Sequence, residues 1–176
     1  MTTTAGGDAA RARWGQRVRA GLNSTAAAFG DPLVVADGLD PTSYQRTTAS
    51  AGNHGAENSY DMVSVQYVAA DNGRLAVYTV RRPPERPVAK VVFDVLAAEE
   101  LDGYPDPATA SEHMREFDVA QAGDALLTVN NEEIAALRFR SNTGKECVIG
   151  QFQHIEVAVV GHRQHRLALW DTATAL

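Results

Sequence analysis

Residues 63–82 read V-S-V-Q-Y-V-A-A, then Asp71-Asn72-Gly73-Arg74, then L-A-V-Y-T-V-R-R. Two β-rich runs flanking Asn-Gly predict an antiparallel hairpin, because a type I′ turn needs positive φ at both central residues and Asn-Gly tolerates it. With Asn72 and Gly73 as that turn, Ala69 faces Ala76, Tyr67 faces Tyr78 and Val65 faces Val80. One face is then apolar and aromatic, while Ser64, Gln66, Thr79 and Arg81 lie largely on the other. Antiparallel sheet becomes the organising feature of the chain. No chemistry is named by it.

The 176 residues suit one domain that buries a real core without metal or disulfide staples. A hydrophobic content of 44% argues against wholesale disorder. The lone Cys147 has no internal partner, which fits a reducing compartment or an indifferent one. Residues 1–8 are polar, without the apolar core of a signal peptide, and no stretch approaches the roughly 20 apolar residues that span a bilayer. The expectation is a soluble chain, cytoplasmic or part of a particle assembled there, with no transmembrane segment.

Net charge is −6, unevenly spread. Residues 1–30 carry four arginines and one aspartate, and residues 97–124 hold eight acids against Arg115 alone. An acidic body argues against nucleic-acid binding, which needs a positive field.

The domain reading is a flexible arm over 1–8 and a single domain over 9–176. Asp8 is the expected N-cap of a helix over 9–29, with Trp14, Val18, Leu22, Thr25 and Phe29 on one stripe. Arg13, Arg17 and Arg19 lie off it. Residues 41–60 hold almost nothing to bury and read as a long polar loop, a lid or an arm that a partner orders. Residues 88–96 alternate, with Ala89, Val91, Phe93 and Val95 on one face, and predict a strand. Asp106-Pro107 predicts the start of a short helix over 108–117. Residues 125–129 and 145–149 predict strands, residues 134–140 fit helix or strand, and Asn130-Asn131-Glu132 and residues 141–144 predict turns. Residues 151–160 alternate and predict a strand that pairs, through a loop at 161–163, with the C-terminal segment. That register sets His154 opposite Trp170.

Three histidines near the end, His154, His162 and His165, with Glu156, form the one plausible metal constellation. On a strand, His154 and Glu156 share a face and with His165 could ligate a divalent ion. The preferred register sets His165 on the opposite face, so ordinary surface histidines are the preferred reading and no metal is expected. No nucleophile elbow, phosphate loop or dinucleotide fingerprint is present, so no cofactor and no catalytic residue is expected. Cys147 reads as core sulfur, and Glu99-Glu100 as solvated loop carboxylates.

The expected fold is α+β, mainly antiparallel sheet in a sandwich or partly closed barrel, with the first helix packed across it. The polar arm, the loop and the segregated charges point to a non-enzymatic structural or accessory subunit of a larger assembly, such as a virion. Its partner is a protein, in a homo- or hetero-oligomer, met through Arg11, Arg13, Arg17, Arg19, Tyr44, Arg46 and His54. The alternative is a small-molecule-binding β-domain, possibly an enzyme, with Tyr67, Tyr78 and Phe93 lining a pocket under the 41–60 lid.

Overall fold

The computed structural model describes residues 5–37, 44–53, 61–69, 71, 73–102, 106–161 and 166–170. In chain order these form α1 (Ala5–Phe29), β1 (Val34–Ala36), β2 (Tyr44–Asn53), β3 (Asp61–Ala69), β4 (Arg74–Arg81), α2 (Val88–Leu101), α3 (Pro107–Met114), β5 (Val119–Val129), β6 (Glu132–Ser141), β7 (Glu146–Phe152), β8 (Ile155–Gly161) and β9 (Arg166–Leu169). Among the described residues the strands make one sheet in the order β1-β9-β5-β6-β7-β8-β4-β3-β2. Every pairing is antiparallel except β5 with β9. The fold is therefore α+β, and the sheet curls into a nearly closed barrel. Closure is visible at β1, whose Val34 N–H donates to Thr79 Oγ1 of β4 at 2.8 Å and Ala36 N–H to Tyr67 Oη of β3 at 3.1 Å.

Alternation along each strand then sorts the core into three parts. Val77, Leu127, Val129, Val148, Val157, Val159 and Leu167 fill the inner face. On the outer face Tyr78, Val80, Cys147, Ile149 and Ala158 pack against α2. At the seam, Leu22 and Phe29 of α1 meet Leu33, Val35, Val63, Val65 and Trp170, so α1 lies across the inner side of β3 and packs against β2 as well. Val63 and Val65 pair with Thr79 and Val77, which places them on the inner face. The stripe expected on α1 is thus the buried one at Leu22 and Phe29. The helix starts at Ala5, so the arm expected over 1–8 is helical from its fifth residue.

Several expectations are corrected. The 63–82 hairpin forms, but Tyr67 pairs with Leu75, Val65 with Val77 and Ser64 with Tyr78. Ala69 N–H donates to Gly73 O at 2.8 Å, so the loop is longer than the Asn-Gly turn allows. The shift spans an odd number of residues, so it moves Tyr67 and Tyr78 to opposite faces. The two-residue turn with both φ positive occurs instead at Asn130 (51°) and Asn131 (65°), joining β5 to β6.

Residues 88–96 are helix, not strand. Strand alternation would leave Val92 and Leu96 on the wet face, whereas the helix buries Val91, Val92, Val95, Leu96 and Glu99 together. Residues 44–53, expected as loop, are strand β2, paired with β3 from Tyr44↔Ala69 to Asn53↔Asp61. Its polar side chains hid a strand held by backbone hydrogen bonds. The ends of that segment, 41–43 and 54–60, lie outside the described residues.

The run 151–160 is broken by a tight turn, with Gln153 at φ 55°, and β8 pairs with β7 and β4. β9 pairs with β1 and β5 instead. Hence His154 does not face Trp170, whose indole N–H donates to Asn23 Oδ1 at 2.8 Å. Residues 134–140 resolve as part of β6. Asp106 caps α3 as expected, its carboxylate accepting from the Ala108 and Thr109 N–H groups.

Candidate functional site

Hairpin ends and one helix end converge on a cleft of about 510 Å³, lined by Arg74, Glu99, Arg140, Gly144, Lys145, Glu146, Val160 and Gly161. The start of β4 brings Arg74, the end of β6 brings Arg140, the start of β7 brings Glu146, and the end of α2 brings Glu99. Gly144, at φ 90°, turns the chain so that its N–H donates to Ser141 O at 3.0 Å. Gly161, at φ 100°, lets the backbone of β8 approach β4: a Cβ there would lie 2.2 Å from Arg74 O.

Glu99 is 7% exposed and forms the floor. Tyr78, buried on β4, donates its Oη–H to Glu99 Oε1. Burial, reinforced by the Glu99 charge, pushes the Tyr78 phenol far up, so it stays a donor and not a base. Burial and Glu99 push the Cys147 thiol up as well, which removes the thiolate a nucleophile needs. Around the rim each cation meets a carboxylate. Arg74 pairs with Asp102, and Arg140 Nε donates to Glu146 Oε1 at 3.0 Å, a bond that holds the Glu146 carboxyl below its ordinary value. Lys145 Nζ donates to Glu99 O and lies 3.3 Å from Glu100 Oε2, which also accepts from Thr143 Oγ1 at 3.1 Å. Glu100 Oε1 lies 3.2 Å from His113 Nε2 of α3. Chemically the cleft offers ion pairs around its rim over a buried acceptor.

Glu99 and Glu100 are therefore not solvated loop acids. The helical period 88, 91, 92, 95, 96, 99 was the signal for Glu99, masked by the competing alternation.

The other candidate residues are scattered. Tyr78 and Phe93 belong to the cluster under α2, where Phe93 meets Phe117 edge-on with ring centroids 5.4 Å apart, but Tyr67 packs on the inner face. His154 Nε2 lies 3.0 Å from Asp31 Oδ1, whereas Glu156 accepts from Arg82 Nε at 2.7 Å, so the two are separately engaged. His162, His165 and His54 lie outside the described residues. Among the described residues no group of three or more His, Cys, Asp or Glu is placed to hold a metal ion.

Arg11, Arg13, Arg17 and Arg19 lie on α1, Arg17 exposed and Arg19 half-buried, while Tyr44 and Arg46 lie on β2. Beside α1, β2 is the last strand of the sheet, ten residues without proline and with Arg46 as its one charge. Among the described helices none is long and apolar enough to cross a membrane. No family model matches this chain, and comparison with curated proteins and with solved structures finds no match.

Proposed function

We propose that this protein is a non-enzymatic structural or accessory subunit of a larger protein assembly, acting through protein–protein contacts, as in a virion or another multi-copy complex. The observation that carries this reading is the contrast between the two ends of the sheet. β1 is three residues long and its N–H groups are capped by Thr79 and Tyr67. β2 is ten residues long and, among the described residues, has a strand partner on one side only, with α1 packed beside it. Such an edge is a template for another chain, and proteins that must stay alone shorten, charge or cover it. A free thiol deep in the core accords with a cytoplasmic location or a particle assembled there.

Hydrogen exchange on the outward-pointing amides of 44–53, those that do not donate to β3, tests this reading. Fast exchange in the dilute purified chain and strong protection in lysate of the encoding cells, or on concentration, is expected. Fast exchange in every setting removes the reading.

A second reading, a small-molecule-binding β-domain, is favoured by one feature, the cleft above Glu99. Among the described residues the inner face carries a packed apolar cluster, so this reading takes the outer cleft as its ligand site. Glu99→Gln and Lys145→Ala should each weaken a bound metabolite recovered with the native protein; a chain that carries none under native mass spectrometry sinks it.

A further inference from the structure

Around the cleft most charges are matched in place. Arg74 pairs with Asp102, Lys145 with Glu100 and Arg140 with Glu146. Two other charges there lack such a pair. The Glu99 carboxylate, buried in the floor, accepts from the neutral Tyr78 phenol and meets no cation within ion-pair distance among the described residues. A carboxylate taken out of water is costly until a cation reaches it. Arg138 is half-buried and forms no hydrogen bond or ion pair among the described residues.

Arg138 and Arg140 alternate along β6 and so share a strand face, with Val148 and Glu146 opposite them on β7. Val148 belongs to the inner cluster, and Arg138 does not line the cleft, whereas Arg140 and Glu146 do. One carboxylate therefore serves two guanidiniums. Arg140 Nε donates to it at 3.0 Å, and the Arg138 charge adds to that bond in holding the Glu146 carboxyl low. The side chains of the Arg140–Glu146 pair are 61% and 38% exposed, so the pair contributes little to stability and yields to a competing oxyanion. An oxyanion on Arg140 releases Glu146 toward Arg138, and no charge is then left alone at the rim.

We propose that the cleft binds a small zwitterion, with a carboxylate or phosphate at one end held by Arg140 and an ammonium at the other held by Glu99. The inference rests on the ligand-binding reading above and names its ligand class. A guanidinium fork suits either oxyanion, and a volume of about 510 Å³ lies in the range of small-molecule sites. Lys145 Nζ already donates to the Glu99 carbonyl, so an ammonium at the cleft wall comes within reach of this floor, and Glu100 offsets the lysine charge.

Isothermal titration calorimetry on the full chain tests this with β-alanine, γ-aminobutyrate and aminohexanoate, which differ in span. Butyrate and butylamine serve as the separate halves, and phosphoethanolamine as the phosphate form. At least one zwitterion should bind roughly tenfold more tightly than either half, and the tighter of the carboxylate and phosphate forms identifies the oxyanion. Glu99→Gln keeps an acceptor for Tyr78 and should reduce the zwitterion to the affinity of butyrate, while Arg140→Gln should reduce it to that of butylamine. Circular dichroism checks that both variants fold, and the comparison of zwitterion with its halves stands without them. Butyrate or butylamine binding as tightly as every zwitterion overturns the inference while the ligand-binding reading stands. So does a chain that binds none of these probes yet carries a metabolite under native mass spectrometry. A chain that binds no probe and carries no metabolite overturns both.

Discussion

Asp31 accepts from His154 and from Arg81 Nη1, at 3.0 and 3.1 Å, and so ties the end of α1 to the β7–β8 turn and to β4. The His154 hydrogen bond, helped by the Arg81 charge, holds the Asp31 carboxyl below its ordinary value. The folded state thus favours the ionised form, and its contribution is present above the unfolded carboxylate pKa of about 3.9 and lost as pH falls through the lowered value. Asp31→Asn should flatten the acid limb of a stability–pH curve, and His154→Ala should raise the Asp31 titration seen by carboxyl-carbon NMR. A different rule governs Glu99. Tyr78→Phe removes the donor to a buried carboxylate oxygen, so urea unfolding should show a loss of about 1.5–3 kcal/mol. Burial of Glu99 was legible only to a reader who placed it on a helix, because its neighbour Glu100 has the same composition and a different environment.

Local signals decided some elements and misled at others. Asp106-Pro107 encodes its cap within four residues, and Asn130-Asn131 supplies two residues that tolerate positive φ, so α3 and the β5–β6 turn follow from sequence. α2 is different, since residues 88–96 satisfy both a strand and a helix pattern. What decides is the outer face of the sheet, which offers a broad apolar surface that only the helical arrangement covers with Val92 and Leu96. Leu96 is fully buried there, and Leu96→Ala should cost about 2–5 kcal/mol in chemical denaturation. Two glycines at positive φ separate backbone strain from close approach. Gly144→Ala meets open space and should cost about 1–2 kcal/mol. Gly161→Ala places a Cβ against Arg74 O, and the same measurement should show a clearly larger loss with weakened β4–β8 pairing.

On the scale of the molecule, α1 completes the barrel where the sheet does not close on itself. Phe29 is 5% exposed, and Arg81 lies over its ring at 4.6 Å. Phe29→Ala should lower stability by about 3–5 kcal/mol. In a Trp14→Phe background it should also shift Trp170 emission to the red, because Trp170 shares the same cluster. Antiparallel strands, several turns, the capped α3 and the apolar stripe of α1 were already determined by the sequence, since each depends on residues within a turn or two of one another. The tertiary structure alone decided the register of β3 on β4, the strand hidden in 44–53, the partners of β9 and the burial of Glu99. Each of those is a choice among locally equivalent arrangements, settled by which distant surface remained to be covered and which backbone groups remained to be paired.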